Sequence, residues 1–336
     1  MEQKMALVIT SINAPNEALR QLASGCQEQG IRMIVMGDRK SPADFQLDGC
    51  EFYGLEAQKR LDLETARLSP EGHYARKNIG YLLAIQGGAD ILIETDDDNL
   101  PYPSFWQARQ RLVESRQVEE AGWVNGYRYF TDANIWPRGL PLDRIQHAPP
   151  ARESLPSRMV DCPIQQGLAD KNPDVDALYR LILTLPQSFR QDQPVAFSRG
   201  SWSPFNSQNT TWFRDAFPLL YLPAHCSFRM TDIWRGFVAQ RLAWCSGWSL
   251  LFHAATMWQD RNEHNLMRDF EEEIPGYRHN DRIAQSLAQL DLPEGPENQL
   301  DNLRVVYDKL VTMGLVGSEE IVLLKAWQHD LRRLLA

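Results

Sequence analysis

Ala89-Asp90-Ile91-Leu92-Ile93-Glu94-Thr95-Asp96-Asp97-Asp98-Asn99 is the stretch that decides how the chain folds. An apolar run ends abruptly in three aspartates and an asparagine. Just upstream, Arg76 to Gly88 carries a helical repeat and a Gly-Gly stop. A buried strand that opens into polar groups at its C-terminal end is where an open α/β sheet places its ligand. Three adjacent carboxylates repel one another, and a hard divalent cation such as Mg²⁺ or Mn²⁺ offsets that repulsion. Such ions are held by one or two carboxylates, with substrate phosphates completing the shell. The stretch therefore predicts a metal–diphosphate site. Taken alone, a triplet of aspartates also reads as a solvated acidic turn.

Upstream, Met5 to Thr10 reads as a buried strand that breaks at Ser11-Ile12-Asn13-Ala14-Pro15-Asn16. Ser11 or Asn16 can cap a helix in which Leu19, Leu22 and Ala23 recur, and Gly30 ends it. Ile31 to Met36 is a second apolar strand, closed by Gly37-Asp38-Arg39-Lys40-Ser41-Pro42. Strand, helix and strand predict a parallel sheet whose polar loops share one edge with the aspartates. Thr10, Ser11 and Asp38 are then expected around a nucleotide base and ribose. Lys77 and Asn78 open the helix of Ile79, Leu82 and Leu83. A cation there opposes the helix dipole, whereas a bound anion reverses the balance, so both are expected at ribose or diphosphate.

Downstream, Phe105 to Ser115 reads as a helix and Trp123 to Phe130 as a strand. Thr131 to Pro163 is irregular and rich in proline, and loops that long are commonly functional. Amides and hydroxyls crowd Pro204 to Trp212. Thr231 reads as the cap of a helix that Asp232 opens. A carboxylate at a helix N-terminus beside arginines has a lowered pKa, so Asp232 would be ionised and able to accept a proton from a hydroxyl nucleophile. In Gln259 to Asn265, His264 is expected as a further metal or phosphate contact. Two helical stripes close the chain: Leu303, Val306, Tyr307 and Leu310, then Leu324, Trp327, Leu331 and Leu334. They predict packing or homo-oligomerisation rather than a site.

The bulk numbers narrow the classes. The 336 residues suit one large α/β domain with an appendage. A net charge of -9 disfavours a nucleic-acid partner. No apolar run reaches the length of a membrane span, and the start lacks the pattern of a secretory signal, so a cytoplasmic protein is expected. The five scattered cysteines form no CxxC and read as reduced packing thiols. Ten tryptophans offer aromatic faces of the kind that suit sugar rings.

Three stretches taken together resemble one family: RKNIGYLLAIQGGADILIETDDDN, PFNSQNTTW and FRMTDIWRGFVAQRLAW. They resemble the STELLO (DUF288) glycosyltransferase-like proteins and, more distantly, the reversibly glycosylated polypeptides that act as UDP-arabinopyranose mutases. QGLADKNPDVDALYRL has the same look, and the resemblance runs from about residue 5 to 270. It implies a GT-A-like α/β fold with a mixed, mainly parallel sheet flanked by helices. A donor half, about 1–130, and an acceptor half, about 131–270, share that sheet, with a helical extension over 271–336. It also implies a nucleotide-sugar donor with UDP as the nucleotide, a glycan or glycolipid acceptor, and Mn²⁺ or Mg²⁺. Asp96 and Asp98 match the outer aspartates of a DXD motif, Asp97 shapes the site or meets ribose, and Asp232 is the base if the anomeric centre inverts. A sugar-nucleotide mutase and a non-catalytic scaffold of a glycan-assembly complex are the competing functions. Plant members are membrane-anchored in the Golgi, and this chain shows no such anchor.

Overall fold

The computed structural model describes residues 3–262 and 264–335. The chain opens with β1 (Met5–Thr10), α1 (Glu17–Gln29) and β2 (Arg32–Met36). Asn16 caps α1 by accepting from the Leu19 amide, and Gly30 ends it in the left-handed conformation (φ 65°) that costs glycine little. Then come β3 (Glu51–Tyr53), α2 (Leu55–Lys59), α3 (Glu64–Leu68), α4 (Lys77–Gln86) and β4 (Ile91–Thr95). Short strands follow: β5 (Asn99–Pro101), β6 (Leu112–Val118), β7 (Gly122–Trp123) and β8 (Ser157–Asp161). The second half holds β9 (Ile164–Asp170), α5 (Ala177–Ile182), β10 (Val195–Phe197), β11 (Ser201–Trp202) and β12 (Asn209–Phe213). Last come α6 (Thr231–Cys245), β13 (Leu250–Gln259), α7 (Leu266–Ala288), α8 (Gln299–Thr312) and α9 (Glu320–Leu335).

The large sheet runs β3-β2-β1-β4-β12-β9-β13-β10-β6-β8, with β5 paired to β13. Its first four strands are parallel. β12 enters antiparallel between β4 and β9, and β9 runs parallel to β13. The α/β class with a mixed sheet is as expected, and the two halves share it. Alternation along the strands builds two layers. Leu7, Ile9, Met33, Val35, Ile91 and Ile93 pack against Leu19, Leu22 and Cys26 of α1. Ala6, Val8, Ile34, Met36 and Leu92 face the larger core, which includes Ile79, Leu82, Trp327 and Leu331.

Three expectations fail. Residues 105–115 are not a helix: a single 3-10 turn, Pro103–Trp106, leads into β6, because Leu112 to Val118 pairs with β8 on one side and β10 on the other. Of the stretch 123–130 only Trp123, the end of β7, is strand, and a 3-10 turn spans Gly126–Tyr129. Within 131–163 lies β8. Residue 270 lies inside α7, and α9 packs on α3 and α4. All five cysteines are free, with burial pushing the Cys26 thiol up to about 12. Among the described residues no helix is long and apolar enough to cross a membrane.

Candidate active site

The topology brings six chain segments to one sheet edge. β1, β2 and β4 are parallel, so the residues after Thr10, Met36 and Thr95 emerge together. Asn209 of β12 is paired with Thr95, so Asn206 to Gln208 arrive at the same edge. Asp170 and Trp258 are paired, which adds the segments after β9 and β13.

The three aspartates have different tasks. Asp97 is a clamp: it accepts from Ser11 Oγ at 2.5 Å and Asn13 Nδ2 at 2.9 Å, while its carbonyl accepts from Asn16 Nδ2 at 2.7 Å. Asp98 accepts from Gln259 Nε2 at 3.0 Å and from the Asn262 amide at 3.2 Å. Asp96 is the open member. Its side chain is 39% exposed, and Lys77 Nζ, 3.4 Å away, is its one side-chain partner among the described residues. The surrounding protein, reinforced by Asp98, Asp232 and Asp97 and opposed by Lys77, pushes the Asp96 carboxyl above its ordinary value. Burial also raises Asp98.

Lys77 is fully buried and donates to the Thr95 carbonyl at 2.9 Å, so its ammonium is built into the floor beneath Asp96. Asn78 departs from expectation. Its amide donates to the Leu222 carbonyl at 2.8 Å and accepts from the Leu222 amide at 2.9 Å, which ties α4 to the segment before α6 instead of facing a ligand. Asp38 likewise accepts from the backbone of Gly72 and His73, at 2.8 and 3.0 Å, and holds that loop to the edge. Thr10 is half-buried at the end of β1, next to Ser11.

Asp232 lies in the first turn of α6, but Thr231 does not cap it; the helix has no side-chain cap, and Thr231 is buried. Both Asp232 oxygens accept from Arg138, at 3.1 and 2.9 Å, and the Ser207 amide adds a contact at 3.3 Å. Arg138 also grips Asp174 through two 2.8 Å bonds. Burial works to raise the Asp232 pKa, but Arg138, with Arg235 and Arg229, more than offsets it and holds the carboxyl low. A lowered carboxyl beside arginines is what the sequence suggested, and here Arg138 occupies both of its oxygens. One turn on, Arg235 and Glu94 form a buried ion pair at 2.8 Å. Trp212 Nε1 donates to the same glutamate at 2.8 Å, and Tyr81 hydrogen-bonds its other oxygen. Gly236 lets α6 come this close, since a Cβ there would lie 2.7 Å from the Phe205 carbonyl oxygen.

His264 is not assembled with the triplet. Its Nδ1 lies 3.1 Å from Asp269 Oδ2. Among the described residues no group of three or more His, Cys, Asp and Glu side chains is placed to hold a metal ion. The donor set fits a cation held by two carboxylates, Asp96 and Asp98, with ligand oxygens supplying the rest.

The sequence of residues 229–335 matches the family model described as STELLO glycosyltransferases. The chain is 32% identical over 260 residues to the probable glycosyltransferase STELLO2 of Arabidopsis thaliana, a match covering 71% of this chain and 33% of the relative. The probable glycosyltransferase STELLO1 of the same plant is 29% identical with the same coverage. This chain is a relative of the STELLO proteins. It spans about a third of the length of the curated relatives it matches. A solved structure titled as a mycobacterial protein aligns with 83% of this chain and 75% of its own, at 10% identity and a TM-score of 0.43. The STELLO match extends through α9, so the likeness reaches well beyond residue 270 and includes the helices taken as an extension.

Several residues that build the site were not singled out. Asn13, Gln259 and Asn262 orient the aspartates, and their signal was position: polar residues directly after strands that share an edge. Glu94 was legible in a different way. A charge inside the apolar run Ile91 to Thr95 demands a buried partner. Arg138 carried no such signal, because it sits in an irregular segment whose path the sequence does not reveal.

Proposed function

We propose that the chain transfers a sugar from a nucleotide-diphosphate donor, UDP first among the nucleotides, to a glycan or glycolipid hydroxyl. The observation that carries this reading is the division of labour in the triplet. Asp97 is consumed as a clamp and Asp98 is oriented by amides, while Asp96 faces outward above a buried lysine. Asp96 and Asp98 would hold a Mn²⁺ or Mg²⁺ ion, which when bound neutralises charge developing on the leaving diphosphate. Lys77 adds a fixed positive charge that needs no reorganisation. Asp97, through Ser11 and Asn13, sets the loop against which base and ribose would rest, with Thr10 and Asp38 framing it. Asp232 anchors the acceptor side through Arg138.

Calorimetric titration with UDP, GDP, CDP and phosphoribosyl diphosphate, each with and without Mn²⁺, tests the donor reading. Metal-dependent binding of UDP, abolished in Asp96→Asn with the fold intact, is the expected result. The absence of metal-dependent binding by any of the four sinks it. Incubation with UDP-sugars alone checks the mutase alternative, which would yield a ring-isomerised sugar nucleotide without acceptor.

A further inference from the structure

A cavity of about 470 Å³ lies between α7 and the proline-rich segment, and the donor site does not use it. We propose that it is a second saccharide-binding site. It is remote from the aspartate edge: Asp232 lies in the first turn of α6 and Trp244 in its last, which separates them by about 18 Å at 1.5 Å per residue. Trp244 lines the cavity together with Trp202 and Trp123. Trp202 and Trp244 meet edge to face at 4.5 Å, and Trp123 tilts against Trp202 at 5.9 Å. Trp123 is half-buried, and its ring is fixed by Nε1 donating to Asp281 Oδ1 at 2.9 Å. The volume suits one or two sugar rings.

The polar groups select the ligand class. Asn125 is 3% exposed and lines the cavity; its Nδ2 is spent on the Ile135 carbonyl, while its Oδ1 has no partner. Arg144 lines the cavity as well, its side chain 39% exposed and its Nε 3.5 Å from Asp143 Oδ2. A buried acceptor left unpaired is costly, and a sugar hydroxyl, which donates, satisfies it. A hydrocarbon would leave it unpaired. A phosphate would meet Glu120 and Asp281, which also line the space. A neutral polyol with an apolar face is the class that fits. The expected occupant is a stretch of the acceptor glycan. For that identity the inference rests on the transferase reading, but the site itself does not.

Saturation-transfer NMR on the full chain, with cellobiose, maltose, xylobiose and diacetylchitobiose as probes, tests the site. Trp123→Ala removes the aromatic face. Ala288→Phe blocks the rim from an exposed position at the end of α7 and leaves the interior untouched. At least one disaccharide is expected to bind the parent and Asp96→Asn alike, and at least tenfold more weakly to both cavity variants, with UDP binding unchanged in those two. Binding by none of the four overturns the proposal, as does binding lost in Asp96→Asn or retained in both cavity variants. Disaccharide binding with the cavity dependence intact, but no nucleotide binding, supports this site while the donor reading falls.

Discussion

Removing Arg235 tests whether the aspartate edge depends on a charge pair buried in the core. Arg235 is 1% exposed and Glu94 is fully buried, so neither charge has water to fall back on. Burial alone would lower the Arg235 pKa, but Glu94 more than reverses that and holds it above the ordinary value. The guanidinium also stacks over Trp212, 4.8 Å from the ring centroid. Breaking a buried pair by deleting one partner costs about 3–5 kcal/mol, because the other charge stays buried. Arg235→Met keeps much of the side-chain volume, and Trp212 and Tyr81 still donate to Glu94. The loss should therefore sit near the lower bound, about 3 kcal/mol.

Urea unfolding of the parent, Arg235→Met, Glu94→Gln and the double variant gives the coupling between the two residues. The double variant should recover at least half of the Arg235→Met loss, since it no longer buries a lone carboxylate. Glu94 is next to Thr95, whose carbonyl receives Lys77, so the same variant should weaken UDP binding about tenfold or more, about 1.4 kcal/mol. A change of less than 1 kcal/mol for Arg235→Met, or additive single effects, would refute the reasoning.

Lys77→Met should leave the fold within about 1–3 kcal/mol of the parent, the range for losing a buried hydrogen-bonded group, yet abolish measurable UDP binding by calorimetry. Gly236→Ala drives a Cβ to 2.7 Å from the Phe205 carbonyl and should cost about 1–3 kcal/mol in urea unfolding, with the 204–208 segment displaced. Burial, with a smaller push from His225, holds His73 down to about 4, and burial likewise holds His253 to about 4. The folded chain thus binds these protons less readily than the unfolded chain. Their stability is complete above about pH 6.5, where free imidazole is neutral, and is lost as the pH falls towards 4. Discounted for partial exposure, each should cost about 1–2 kcal/mol at pH 5. Asp176, raised by burial to about 6, acts in the opposite sense, so the comparison to make is His253→Gln with the parent at pH 7 and 5.

The edge and its aspartates were legible because strand-helix-strand periodicity is a local signal and parallel strands must end together. The roles within the triplet were not, because they depend on which neighbours arrive from elsewhere. Asp97 meets Ser11 and Asn13, more than eighty residues away, and Asp98 meets Gln259 and Asn262, more than a hundred and sixty away. Asn78 shows the reverse error. Its place at a helix N-terminus suggests a ligand contact, but an asparagine side chain can satisfy a backbone amide and carbonyl at once, and Leu222 supplied both. The misread helix at 105–115 has a plain cause. Leu112, Val113 and Val118 suit either period, and pairing with β8 on one side and β10 on the other decided it.

The charges along α6 explain why a helix with so many polar residues is buried along its whole length. Its first turn carries a carboxylate gripped by Arg138, and its second an arginine gripped by Glu94. The two pairs have opposite polarity, so a helix rotated or shifted by one residue would leave both buried charges without partners. Such pairs add little stability over apolar residues of the same volume. Their task here would be discrimination among packings, at the place where α6 meets the strand that presents the aspartates. If that is their task, replacing Glu94 and Arg235 together by Gln and Met, which keeps an acceptor for Trp212 and Tyr81, should keep most of the stability while broadening the amide resonances of residues 95–98 and weakening UDP binding. Sharp resonances and parental affinity in that variant would mean that packing alone sets the register.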